Sequence, residues 1–257
     1  MMPSPIRAVC AAVLALGAPA QAGGERPSDR ARYQACVGLA EADAARAEAE
    51  ARAFLRAGGG LPARHCLALA QLAAGRPAEA AATLAEAAAA AEARRHAYAA
   101  DLWAQAGNAA FLAGDLALAR AHLDRAVAGA GPFSPKRTAG FRIDRARVLA
   151  ELGDPAGARA DLDEAIRLAP EDPVAWMLSA ALSRRQGDIG RAAAAIERAT
   201  ALAGSDPDVL FEAGNVAAAG GDLAGARALW EMAVRLGAGS EAARLAAEAL
   251  RQAGPGG

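Results

Sequence analysis

The side chains able to do chemistry are few in this sequence, and they are scattered. Its histidines are His65, His96 and His122, and only His65 has a nucleophile beside it, Cys66. Neighbours on a helix project about 100° apart, so that pair cannot readily share a proton. A satisfied histidine next to a buried cysteine is the simpler reading. No His-Glu-x-x-His pair is present to hold zinc, and no Gly-x-x-x-x-Gly-Lys-Ser/Thr loop to cradle phosphate. The carboxylates Asp161, Asp163 and Glu164 crowd one short stretch and read as solvated surface charge. The expectation is a chain without a catalytic site, cofactor or metal centre, and not an enzyme.

Composition points to helices. Apolar residues make up 54% of the 257 positions, yet aromatic residues only 4%, and alanine fills the gap. Abundant Ala and Arg with few β-branched residues favour an all-α chain over a sheet protein. Lys136 is the only lysine, so the arginines reflect a uniform residue choice and give weak evidence for an anionic ligand. A formal charge of -1 leaves no electrostatic footprint for nucleic acid.

The N-terminus reads as a cleavable export leader, residues 1–22. Arg7 precedes an apolar stretch from Ala8 to Ala18, and Ala20 and Ala22 flank Gln21 as small residues at a cleavage site. The apolar run is too short to span a bilayer. Later alanine runs are all interrupted by arginines and acids, so no integral membrane segment is expected in the mature chain, whose localisation is then periplasmic or secreted.

The elements that follow repeat. The strings "GDLALARAHLDRA" at 114, "GDPAGARADLDEA" at 153, "GDIGRAAAAIERA" at 187 and "GDLAGARALWEMA" at 221 share one pattern, with a weaker copy at Gly75. Their glycines are spaced by 39, 39, 34 and 34 residues. A period near 34 signals stacked helical hairpins. Gly ends one helix, and Asp115, Asp154, Asp188 or Asp222 caps the next. Small residues Ala80, Ala119, Ala158, Ala192 and Ala226 then allow close approach, and four residues on come Leu84, Leu123, Leu162, Ile196 and Trp230. Upstream, Trp103, Ala106 and Gly107, or Trp176, Ser179 and Ala180, supply the first helix of a hairpin.

This arrangement resembles the tetratricopeptide repeat over residues 61–239, with Pro170 in the closing place and with Ala110, Leu149, Ser183 and Ala217 where the family has a second aromatic. The resemblance implies a right-handed α-solenoid of stacked hairpins. Residues 23–60 form a degenerate first hairpin, 61–239 about five repeats, and 240–257 a capping helix with a disordered tail. The stretch from Ala88 to Trp103 is expected to continue helical through its five extra residues, and 129–140, with Phe133 and Lys136, to form a Gly/Pro loop. Cys36 and Cys66, the cysteines left after leader removal, fall on first helices of successive hairpins, which lie side by side in such a stack. That places them for a disulfide, with two buried thiols as the alternative.

In this family the first helices line a groove that holds extended peptides. The corresponding positions are Gln105, Asn108, Phe111, Asp144, Arg147, Met177, Arg184, Phe211, Glu212 and Asn215. Asn108 and Asn215 match a place where asparagine holds a peptide backbone. The lysine places of the family's carboxylate clamp are Ala104, Ile143, Met177 and Phe211, which argues against recognition of a free C-terminus. The resemblance implies a non-catalytic scaffold or adaptor of the bacterial cell envelope that binds a protein or peptide of unspecified identity. Alternatives are an accessory subunit of an envelope enzyme or assembly complex, and a ligand-free spacer. Mass spectrometry of exported material is expected to find a mature chain beginning near Gly23; an intact Met1 contradicts the leader reading.

Overall fold

The computed structural model describes residues 27–131 and 134–254, which fall into two compact units. The proposed leader 1–22, the loop residue Phe133 and the last three residues lie outside them. Among the described residues there are thirteen α-helices and no strand. In the first unit these are α1 (Pro27–Ala42), α2 (Ala44–Arg56), α3 (Gly60–Ala73), α4 (Pro77–Ala93), α5 (Ala99–Leu112) and α6 (Leu116–Gly129). The second unit holds α7 (Pro135–Glu151), α8 (Pro155–Leu168), α9 (Pro173–Arg185), α10 (Ile189–Ala203), α11 (Pro207–Ala219), α12 (Leu223–Leu236) and α13 (Glu241–Gln252).

Each recurring Gly-Asp pair makes the same turn. Gly153 has φ 76°, a left-handed conformation that costs glycine nothing. Its N–H donates to Ala150 and that of Asp154 to Leu149, which satisfies the last carbonyls of α7. The Asp154 carboxylate then accepts from the Gly157 N–H at 2.9 Å and caps α8. Asp115, Asp188 and Asp222 cap α6, α10 and α12 in the same way. Proline at the first helical position starts α4, α7, α8, α9 and α11, where its missing N–H is of no consequence.

Within a hairpin the second helix presses its small residues onto the first. Ala119, Ala158, Ala192 and Ala226 are fully buried, as are Ala126, Ala165, Ala199 and Ala233 one face-length on. Leu123 lies against Gly107, where an added Cβ would come 2.6 Å from Leu123 Cγ. In the second unit α7 packs on α9, α9 on α11 and α11 on α13, so the first helices form a continuous row. The closing helix α13 buries Ala242, Ala243 and Ala246. Arg227 of α12 holds its end by donating to the carbonyl oxygens of Ala253 and Gly254.

Two local expectations are corrected. The stretch from Ala88 is not one helix: α4 stops at Ala93, and Arg94 to Tyr98 form a turn before α5. Arg95, at φ 52°, takes the left-handed place that glycine fills elsewhere, and the His96 N–H closes on Ala91 at 2.9 Å. Sequence could not show this, because arginine pays roughly 1–2 kcal/mol for that conformation. Nor are residues 129–140 all loop, since Pro135 begins α7 and Lys136 lies exposed in its first turn.

In the first unit Cys36 of α1 and Cys66 of α3 form a disulfide with Cα atoms 6.1 Å apart. Both are buried, beside Ala51, Tyr33 and Leu67. Joining residues 30 apart contributes about 3–4 kcal/mol in the chain-entropy model. Replacing both cysteines by alanine is expected to lower unfolding free energy by about that amount in urea titrations, with hydrogen exchange showing the loss first in α1 and α2.

Candidate functional site

The candidate site of the second unit is the face of its first helices. Ile143, Met177, Phe211 and Leu245 recur every 34 residues on α7, α9, α11 and α13. They therefore occupy one register across the row. Ile143 is buried, whereas Met177, Phe211 and Leu245 are half-buried. Met177 rests on the cluster of Ala180, Ala192 and Val209, and Phe211 on that of Leu210 and Trp230. Met177 and Phe211 are thus anchored in the core and partly open to solvent. Leu245 was missed by sequence reasoning because α13 lacks the glycine turn that numbers the repeats, although its spacing from Phe211 gives it away.

Arg147 is the exposed cation of this face. Its side chain is 44% accessible, and its ion pair with Asp144 is long, 3.9 Å. The same guanidinium opposes the rise in the Asp208 pKa, which burial pushes up and neighbouring Asp206 pushes further.

Other polar residues expected on the groove serve the fold instead. Arg184 of α9 donates from Nε to Glu212 of α11 at 2.7 Å and from a second nitrogen at 3.1 Å. Glu212 is buried, and removing its cation would leave a charge in the interior. Asn215 donates to Glu212 at 3.2 Å and accepts from the Trp230 indole N–H at 3.2 Å. Trp230 is itself buried and needs that acceptor. Arg184, Glu212 and Asn215, three of the expected groove positions, are thus bonded to one another and to Trp230. Asn215 is already engaged and differs from an asparagine free to hold a peptide backbone.

Asp161 is a second correction. It is 2% exposed, and it takes Arg142 at 2.7 Å and Arg145 at 2.6 Å from α7. Asp163 and Glu164 are surface charges as expected, paired with Arg191 and Arg167. Ser183, which stands where the family has an aromatic, is fully buried and accepts from Arg159 at 2.7 Å, as does Ser179. Burial lowers the Arg159 pKa, and the two hydroxyls compensate the desolvated guanidinium.

On the first unit, α5 carries Gln105, Asn108 and Phe111, all half-buried. Gln105 accepts from the His65 ring at 2.6 Å, and His65 takes the Tyr33 hydroxyl at 2.7 Å. Cys66 is oxidised, so the His65–Cys66 neighbours are no nucleophilic dyad. Trp103 is stacked against His122 and lies under Arg125, 4.2 Å from its ring centre. Among the described residues no cluster of three His, Cys, Asp or Glu side chains could hold a metal, and no helix is long and apolar enough to cross a membrane.

The comparisons agree with this geometry. The family model described as tetratricopeptide repeat matches residues 143–207 and 180–241. No curated protein is similar to the chain at a significant level. The solved structure of PilW, a type IV pilus biogenesis factor, superposes with a TM-score of 0.68 at 17% identity, covering 86% of this chain and 98% of that one. PilF of Pseudomonas aeruginosa gives 0.62 at 18% identity over 86% and 99% of the two chains. BtubC from P. vanneervenii gives 0.62 at 20% identity over 79% and 91%. At such identities these likenesses concern the fold. Turn, packing and family match agree that residues 143–241 carry tetratricopeptide repeats, and the solved structures show the same fold over most of the chain.

Proposed function

We propose that the protein is an exported, non-catalytic scaffold of the bacterial cell envelope that holds an extended segment of a protein partner on the first-helix face of its second unit. The observation that carries the reading is the half-buried stripe of Met177, Phe211 and Leu245 beside the exposed Arg147. Apolar side chains fixed in the core yet open at one edge offer anchoring pockets at little entropic cost, and a lone cation beside them sets orientation. The places where a clamp for a terminal carboxylate would need lysines hold Ile143, Met177 and Phe211. An internal segment with apolar side chains and an acidic residue fits better than a free C-terminus.

Export is supported by the leader-like sequence of residues 1–22 and by the buried Cys36–Cys66 disulfide, a bond that persists in oxidising compartments. A periplasmic scaffold needs no catalytic constellation, only a rigid face.

The test is binding of a partner captured from an envelope extract. Arg147→Ala is expected to weaken its Kd by about tenfold while shifting stability by less than about 0.5 kcal/mol, as exposed substitutions do. Arg184→Ala is expected instead to cost about 3 kcal/mol in stability, because it strands Glu212. Unchanged affinity in both Arg147→Ala and Met177→Ala would remove the first-helix face from the binding role.

A further inference from the structure

A hydrogen-bonded chain in the first unit is not accounted for by partner binding. The Tyr33 hydroxyl of α1 meets His65 Nδ1 of α3, and His65 Nε2 meets Gln105 Oε1 of α5, at 2.7 and 2.6 Å. An amide oxygen only accepts, so Nε2 carries the hydrogen and Nδ1 is the acceptor for Tyr33. The imidazole is neutral in this arrangement, and it is buried, with 7% exposure.

What the chain holds is the start of α1. The later turns of that helix are seated by Val37, Leu39 and Ala40 against Ala47 and Leu69, and by the disulfide at Cys36. Before Cys36 the helix is more exposed. Residues 30–32 are exposed, and Arg32 lies over the Phe54 ring. Tyr33 reaches inward, packing on the Cys36–Cys66 cluster and bonding His65.

We propose that Tyr33, His65 and Gln105 form an acid-sensitive latch, closed over α3 and α5 at neutral pH and opened at its α1 end when His65 takes a second proton. A proton on Nδ1 forces the Tyr33 hydroxyl to turn its own hydrogen away, and it places a cation in a site where burial disfavours charge. Burial depresses the His65 pKa and the Gln105 bond partly restores it. No charge from Arg32 of α1, Arg52 of α2, Arg64 of α3, Glu86 of α4 or Asp101 of α5 is among the influences that shift it. Lifting the first turns of α1 hydrates the imidazolium, while the Cys36–Cys66 bond retains the rest of the helix. The Nε2–H bond to Gln105 of α5 persists in the open form, so the change is confined to α1.

The sign follows from linkage. The open form has an ordinary imidazole, pKa near 6.5, and the closed form a lower one. The latch is therefore fully closed above about pH 6.5, and its opening constant rises about tenfold per pH unit below that, until the closed-form pKa is reached. The measurement is amide hydrogen exchange of the oxidised protein by NMR between pH 7.5 and 5, corrected for intrinsic rates, with His65 followed through its ring resonance. Amides at 30–36 are expected to gain in opening as the pH falls below about 6.5, with a slope of up to about tenfold per pH unit, whereas α4 and α6 stay level. His65→Gln is expected to abolish that slope. Tyr33→Phe, which leaves the disulfide and His65 in place, is expected to raise opening of 30–36 already at pH 7.5. A flat profile in the unaltered protein, an equal slope in His65→Gln, or unchanged opening in Tyr33→Phe overturns the latch.

Discussion

The structure depends on how closely two helices of a hairpin can approach. Ala119, Ala158, Ala192 and Ala226 contribute only a methyl group each, and all are fully buried. Their size brings the partner helix near enough for Leu123, Leu162, Ile196 and Trp230 to be buried between the helices. This is how a chain with so few aromatics still forms a core. Each hairpin buries little by itself, so the stack is stable because each unit repeats the same contact with its neighbour.

That constraint leaves polar work for the first helices. Where the family uses an aromatic, this chain has Ser183, and the space is taken by the Arg159 guanidinium bound to Ser179 and Ser183. Between α9 and α11, Arg184, Glu212, Asn215 and Trp230 form one connected path. Such a path is costly if any member is removed, and it fixes the spacing of α9 against α11. The Met177 and Phe211 side chains are consequently presented at a set separation, and Arg147 stays exposed with only a long ion pair to Asp144. Rigidity of the row and openness of the stripe thus have one origin.

Local chemistry decided what could be read from sequence. Gly153 and Asp154 announce their turn because glycine tolerates φ 76° and the Asp carboxylate caps the next helix, both within four residues. Cys36 and Cys66 could be paired because count and neighbouring helices agreed, and they are bonded. Asp161 was misread as surface charge because its arginines lie 16 and 19 residues away, beyond any helix periodicity. Glu212 and Arg184, 28 residues apart, escaped for the same reason. The break at Arg95 was hidden because an alanine-rich run gives no warning of a left-handed residue that is not glycine.

The central claim is that the first-helix face of residues 134–254 receives the partner. The most direct measurement places a photo-crosslinking amino acid at position 177 or 211 on that face, or at 194 or 197 on the exposed side of α10, in cells that make the unaltered partner. Crosslinks from 177 and 211, with none from 194 and 197, are the predicted result. Crosslinks confined to 194 and 197 would contradict it and move the binding surface to the second helices.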